Sequence, residues 1–414
     1  MLADGGEEFG LRGVCHALRR GDRESRRLPG ARRGCRYDSP MPEPRSVLVI
    51  VTQQIGDVLL TTPLIQAARE RWPGARVDVL GFAGTLMPLR GNPAIDELIE
   101  VTRERGWSPR WALLKRLWRR YDLALVTQSG DRAQIYGWVA ARERSSLVPP
   151  AGSGRAWKLA ITRHPLVGAR DRHAVLEKLM LLSPWVALDT LSVSLTPPPR
   201  APLPAEFAGL RRSPSVVVHV PSMWRYKQWP VEHYRVVIEA LLCEGVQVWL
   251  TGAGNDNDRG LTRGLLELGA APDLIDVVGR LDFGQLSELL AGVDAYLGPD
   301  TSITHLAAAV GTPSVTLFGP TPPTEWGPWP REHGAASPWL RRGPEPARIQ
   351  RSGTARAPIV LMQGPSRADM DCMPCGKAGC DDHRDSRSEC LERLAPEAVL
   401  AELRALLARA RSEA

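Results

Sequence analysis

The sequence has no run approaching 18 consecutive apolar residues, which excludes an ordinary transmembrane helix. Its first 45 residues lack the apolar centre of a secretory signal, so the chain reads as cytosolic. Seven cysteines in such a chain argue against a disulfide framework. The spacing G-x-G-x-x-G follows neither the first apolar run nor the Gly-rich turn "TGAGNDND" at 251–258, which argues against a dinucleotide-dependent dehydrogenase. No helix-turn-helix, finger or stacking-aromatic pattern accompanies the formal charge of +7, so charge alone does not make this a nucleic-acid binder. That charge suits an acidic partner such as a nucleotide or a phosphorylated lipid.

What is present is a chain of 414 residues, 43% hydrophobic and 24% charged, long enough for two domains with separate cores. Residues 1–45 carry ten arginines and seven acids without a hydrophobic period, and read as a disordered extension with Met41 as an alternative start. From 46 onward, β-rich runs such as "SVLVIV", "RVDVLGF" and "DLALVTQ" alternate with helical stretches at 58–71 and 109–121, the pattern of a doubly wound parallel sheet. The same alternation resumes with "SVVVHV" and runs to "PSVTLFGP", after the Pro-rich linker "TPPPRAPLP". The expected fold class is therefore α/β, two Rossmann-like domains facing across a cleft: 46–199, then 200–320. Residues 321–371, rich in Pro and Arg, read as a loop insertion, and 372–414 as a cysteine cluster followed by a C-terminal helix.

Three turns carry chemistry. In "QQIGDVLLTTP", Gly56 and Asp57 stand where the first strand meets its helix, at the cleft. A carboxylate there can take a proton from a bound hydroxyl, or simply complement a helix N-terminus. In "GPDTSITHL", Asp300, Thr301 and Ser302 precede a helix whose free N–H groups form an anion site, with His305 one turn further on. In "RYKQWP", Lys227 lies between a strand and the helix-starting Pro230, either aimed at an anion or merely solvated.

Taken together, "IGDVLLTTP", "YKQWPVEHY" and "GPDTSITHLAAAVGTPSVTLFGPT", with "CMPCGKAGC" near the C-terminus, resemble the ADP-heptose:lipopolysaccharide heptosyltransferases, glycosyltransferase family 9. The resemblance covers about 46–403 and implies a GT-B architecture. It also implies an inverting, metal-independent glycosyltransferase: the C-terminal domain would hold an ADP-heptose donor, and the N-terminal domain a lipopolysaccharide core or lipid A precursor acceptor. Carried onto this chain, it makes Asp57 the general base and Lys227 the cation on the departing diphosphate. Gly56, Asp300, Thr301, Ser302 and His305 then line the donor, and Asp258 bonds its ribose. Gln53 and Gln54 depart from the small hydroxyl residue usual before Gly-Asp, and "SMWRY" is bulkier than usual before the lysine. The alternative is a GT-B sugar-nucleotide enzyme with another donor, such as a hexosyltransferase or an epimerase.

Arg155, Lys158 and Arg163, in a basic stretch that also holds Arg170 and Arg172, are expected to face the acceptor's phosphates. Cys372, Cys375, Cys380 and Cys390 have a spacing that could hold a structural zinc or an iron–sulfur cluster, or stay as free thiols; catalysis is expected to need no cofactor. The stripe Trp111, Leu114, Trp118, flanked by Lys115, Arg116, Arg119 and Arg120, is expected to pack on the domain's own sheet, with an anionic membrane surface as its other use. Localisation at the inner face of the cytoplasmic membrane would follow from that second use.

Overall fold

The computed structural model describes residues 43–102, 107–152, 154–169, 172–191, 193–267, 272–344, 348–366 and 368–413. The N-terminal extension, all but 43–45, and Arg170 lie outside them. Two parallel sheets form the two halves. The first holds β1 (Ser46–Val51), β2 (Arg76–Phe82), β3 (Glu97–Val101), β4 (Tyr121–Val126), β5 (Ala141–Val148) and β6 (His164–Val167), in the order β3-β2-β1-β4-β5-β6. The second holds β7 (Ser215–His219), β8 (Gln247–Thr251), β9 (Leu274–Asp276), β10 (Ala295–Pro299), β11 (Ser314–Leu317), β12 (Ile349–Gly353) and β13 (Pro358–Met362), in the order β12-β13-β11-β10-β7-β8-β9. Only β12 runs antiparallel. Central strands such as "SVLVIV" and "SVVVH" are apolar almost throughout because helices cover both of their faces.

In each sheet the strand order reverses beside the first strand. β1 pairs with β2 on one side and β4 on the other; β7 pairs with β8 and β10. A crevice opens at the carboxyl end of strands flanking such a reversal. The turn after β1 carries Asp57, while those after β7 and β10 carry Lys227 and Asp300.

The helix expected over 58–71 is two helices, α1 (Ile55–Leu59) and α2 (Thr62–Arg71). Pro63 has no N–H to continue the ladder. Thr61 and Thr62 hydroxyls instead donate to the carbonyls of Asp57 and Leu59, each at 2.7 Å. The next helices of the first half are α3 (Trp107–Leu117), α4 (Asp131–Ala140), α5 (Arg155–Ile161) and α6 (Ala174–Leu179). Trp111 and Trp118 do not pack on the sheet as expected: they are 57% and 61% exposed, while Leu113, Leu114 and the fully buried Leu117 turn to the core. The second half adds α7 (Val231–Cys243), α8 (Asp256–Leu266), α9 (Phe283–Gly292), α10 (Ser302–Val310), α11 (Pro323–Trp326), α12 (Glu389–Glu392) and α13 (Pro396–Glu413). The last helix sinks Val399, Leu403 and Leu406 into the core of the second half.

The segment 321–371 is not a loop insertion. It supplies β12 and β13, with "PIVLM" inserted beside β11, and its buried Trp329 joins the core of the first half. The chain crosses between halves here, and His173 bonds the Gly327 carbonyl at 2.8 Å. Leu59 makes the reciprocal crossing, packing among Ile303, Leu306 and Ala307 of the second half.

Candidate active site

Asp57 occupies the first turn of α1, where free N–H groups favour an acid. Its side chain does not cap the helix. Oδ1 is buried and makes no hydrogen bond among the described residues. The nearest cation is Lys178 of α6, whose Nζ lies 3.8 Å from Oδ1 and donates to the Asp57 carbonyl at 3.1 Å. Burial pulls the Lys178 pKa below the usual lysine range, opposed by the carboxylates of Asp57 and Glu177. Gly56 lets this turn meet the second half: a Cβ there would lie 3.3 Å from His305 Cδ2 and 3.6 Å from Ser302 Cα.

Across that contact, Lys227 ends a single 3-10 turn (Arg225–Lys227), and its Nζ pairs with Asp300 Oδ2 at 2.7 Å. Burial alone would lower its pKa. The charge and hydrogen bond of Asp300, with smaller contributions from Tyr226 and Asp57, raise it above the ordinary lysine value, so the ammonium stays charged.

Thr301 is the N-cap of α10 without a side-chain cap bond, and Ser302 follows it. The N–H groups of the first turn therefore point into the crevice, as an anion site requires. His305, one turn in, is buried with Nδ1 unpartnered. Burial pushes its pKa down to about 4, against the pull of Asp300, so it is a neutral imidazole at neutral pH. Asp57, Gly56, Lys227, Asp300, Ser302 and His305 thus come together from turns nearly 250 residues apart in the chain.

Other candidates stand elsewhere. Asp258 is buried at the start of α8; Oδ2 accepts from Ala253 N–H at 2.7 Å and Oδ1 from Asn257 at 3.3 Å, so its carboxylate holds its own Gly-rich turn. That turn is tight because Gly254, at φ 76°, packs on Gly279: a Cβ would lie 2.5 Å from Gly279 Cα. Of the basic stretch, Lys158 pairs with Asp131 at 2.6 Å and Arg163 with Glu143 at 2.8 Å. Arg155 keeps a buried Nε with no hydrogen-bond partner.

Of the alternatives the cysteine spacing left open, the described residues show free thiols. Cys372, Cys375, Cys380 and Cys390 are free thiols, and no three His, Cys, Asp or Glu among the described residues group to hold a metal ion. Cys390 is buried, which with the other three sulfurs nearby pushes its pKa up to about 12, whereas Cys372 and Cys380 face solvent. The segment is instead a brace behind Lys227. Ser388 donates to the Tyr226 carbonyl at 2.6 Å, Arg384 covers Trp224 at 4.3 Å, and Gly376 N–H bonds Pro320 at 2.9 Å.

Sequence reasoning missed Lys178 and His173. Both lie in "HAVLEKLM", where a lysine inside an apolar run was the available signal. His173 caps α6, accepting from Val175 N–H through Nδ1 at 3.2 Å while Nε2 faces Gly327, and so fixes the helix that delivers Lys178.

A hydroxyl bound beside Asp57 would meet a carboxylate oxygen free to accept its proton, and a diphosphate at α10 would meet N–H dipoles and Lys227. That combination suits displacement of a phosphate-linked leaving group by an alcohol. The chain is 28% identical over 287 residues to lipopolysaccharide heptosyltransferase 3 of Escherichia coli, covering 66% of this chain and 83% of that protein. It is 26% identical to lipopolysaccharide heptosyltransferase 1 of Pseudomonas aeruginosa, over 87% of this chain and 98% of that one. Among solved structures, the E. coli ADP-heptose heptosyltransferase II superposes with a TM-score of 0.63 at 20% identity, covering 89% of this chain and all (100%) of that one. An E. coli heptosyltransferase solved with ADP-2-deoxy-2-fluoro heptose gives 0.60 at 18% identity, with 87% and 99% covered. The two-sheet architecture is accordingly GT-B. The model of glycosyltransferase family 9 (heptosyltransferase) matches residues 110–354, more than half of the sequence, and the chain belongs to that family of glycosyltransferases.

Proposed function

We propose that the enzyme transfers heptose from ADP-heptose to a sugar hydroxyl of a lipopolysaccharide core acceptor, with inversion, and that Asp57 is the general base. The acceptor oxygen bonds to the anomeric carbon as the bond from that carbon to the diphosphate oxygen breaks. The leaving electrons go out on ADP, and the hydroxyl proton goes to Asp57. The observation that carries this reading is the unpartnered, buried Oδ1 of Asp57 in a turn that meets α10 through Gly56, near enough to the Lys227–Asp300 pair for its charge to act on Lys227. Lys227 and the α10 N-terminus supply the positive potential that a departing diphosphate needs. The second half then holds the donor and the first half the acceptor, with Arg155 a contact for its phosphates. The E. coli relative solved with an ADP-heptose analogue supports ADP-heptose over another sugar nucleotide. Calorimetry against ADP-heptose, UDP-sugars and GDP-sugars tests that choice; no heat with ADP-heptose would reject it.

The acceptor is a lipid, and the first half carries a surface suited to meeting one at the inner face of the cytoplasmic membrane. No helix of the described residues is long and apolar enough to cross a membrane. Trp111 and Trp118 nevertheless stand exposed beside Lys115, next to exposed Ile135 and Trp138 of α4. This is the pattern of a surface that rests on anionic headgroups.

Asp57→Asn keeps the shape and removes the base. Turnover is expected to fall by about 10²- to 10⁴-fold with donor affinity retained, since a positioned base contributes that much. A variant with wild-type kcat would remove Asp57 from the mechanism.

A further inference from the structure

Lys178 is buried, and the fields of Asp57 and Glu177 are what offset the cost of burying its ammonium. Its close polar contacts among the described residues are both with Asp57: the carbonyl at 3.1 Å and Oδ1 at 3.8 Å. We propose that Lys178 is the positioning residue of Asp57, fixing the turn that carries the carboxylate and setting a positive charge beside it without a close ion pair. The inference rests on the reading of Asp57 as the base.

The distance decides the role. A salt bridge near 2.8 Å would spend a lone pair of Oδ1 on the lysine. At 3.8 Å the ammonium acts through its field, because an opposite charge within about 4–6 Å favours the charged form of a carboxylate. The hydrogen bond goes to the backbone instead, so the turn carrying Asp57 is anchored while the buried Oδ1 spends no hydrogen bond on the lysine. Lys178 can hold this place because α6 is fixed at both ends of its first turns. His173 ties its start to Gly327, and Glu177 accepts the Ala169 N–H at 3.0 Å.

Other groups facing this pair do not replace Lys178. Glu177 on the same helix adds a second negative field to the lysine. Lys227, from the second half, is committed to Asp300 at 2.7 Å. His305, from α10, is held neutral by burial. The two lysines therefore divide the work: Lys227 for the donor's diphosphate, Lys178 for the base.

The test is the dependence of kcat on pH for Lys178→Met and Lys178→Arg beside Asp57→Asn, with ADP-heptose and a defined truncated core acceptor. Lys178→Met is expected to lose about tenfold or more in kcat at neutral pH, with its acid limb moved upward by about one pH unit, the low end of what a close cation does to a carboxylate. Donor KM is expected to hold. Lys178→Arg, which restores the charge, is expected to return the limb toward wild type. Should the methionine variant not accumulate folded, Lys178→Gln reads the same limb. An acid limb that stays in place once the cation is gone overturns the proposal, even if turnover falls, since that loss would be structural. Wild-type turnover in Asp57→Asn would instead sink the base assignment itself; the two failures are separate results.

Discussion

Three buried imidazoles set how the molecule responds to acid. Burial holds His173 down to about 3, and His219 and His305 to about 4, each well below the ordinary histidine value near 6.5. The hydrogen bonds of His173 show why protonation is resisted there: Nδ1 must accept from Val175 while Nε2 donates to Gly327. Between about pH 6.5 and 4 the unfolded chain takes up protons that the folded chain refuses. Stability is therefore fully present above about 6.5 and is lost as pH falls, by on the order of 1.4 kcal/mol per unit for each histidine. A thermal midpoint that drops steadily from pH 7 to 5, and less so in His219→Asn, is expected; a flat profile would mean that one of these rings is charged when folded. Single residues were unevenly legible in the sequence. Asp57, Lys227 and Asp300 sit at strand–helix turns, where type and place together are informative, and the fold gathers them. Lys178 was hidden because nothing in "HAVLEKLM" shows that the ammonium turns inward to a partner 121 residues away. Asp258 also sits at such a turn, and there the carboxylate accepts from Ala253 N–H and Asn257, bonds inside its own turn that the sequence does not show.

Among the elements, α3 turned out least like its pattern. Trp111, Lys115 and Trp118 repeat at i, i+4 and i+7 and so share one face, but that face is the solvent one. A helix presents two faces to a periodicity count, and the sequence does not say which one the sheet covers. Arg119 stacks 5.5 Å over Trp118, while Arg116 and Arg120 pair with Glu97, which leaves Lys115 as the cation standing between the indoles. Wild-type protein is expected to sediment with vesicles containing phosphatidylglycerol, weakly with neutral phosphatidylcholine, and less as salt rises. The double variant Trp111→Ser, Trp118→Ser is expected to lose about tenfold in vesicle affinity at unchanged turnover on a soluble truncated acceptor. Equal sedimentation of both proteins would take the membrane reading off this face. The strand "PIVLM" was missed for a related reason: the Pro, Gly and Arg around it dominate the composition of 321–371, although its five apolar residues are the usual signature of a strand buried on both faces.

At the scale of the whole molecule, the repeated βα alternation announced two sheets, but not how the halves are fastened. The fastening is by exchange: Leu59 packs in the second half, Trp329 in the first, and His173 bonds Gly327. Between these lies the contact of Gly56 with α10, where the turn carrying Asp57 meets Ser302 and His305 with no side chain to separate them. A methyl at Gly56 lands 3.3 Å from the His305 ring, close enough to require a shift of a few tenths of an ångström. The two further methyls of valine cannot be fitted so cheaply and must move α1 away from α10. Because a displacement of about 1 Å between reacting groups can cost on the order of 10²-fold, the loss should appear in turnover before it appears in stability. Gly56→Ala is expected to lose only a few-fold in kcat, and Gly56→Val about tenfold or more, with melting temperature little changed in both. If Gly56→Val turned over like wild type, the contact would be slack enough to absorb an isopropyl group, and the spacing between Asp57 and the α10 N-terminus could not be what sets the rate.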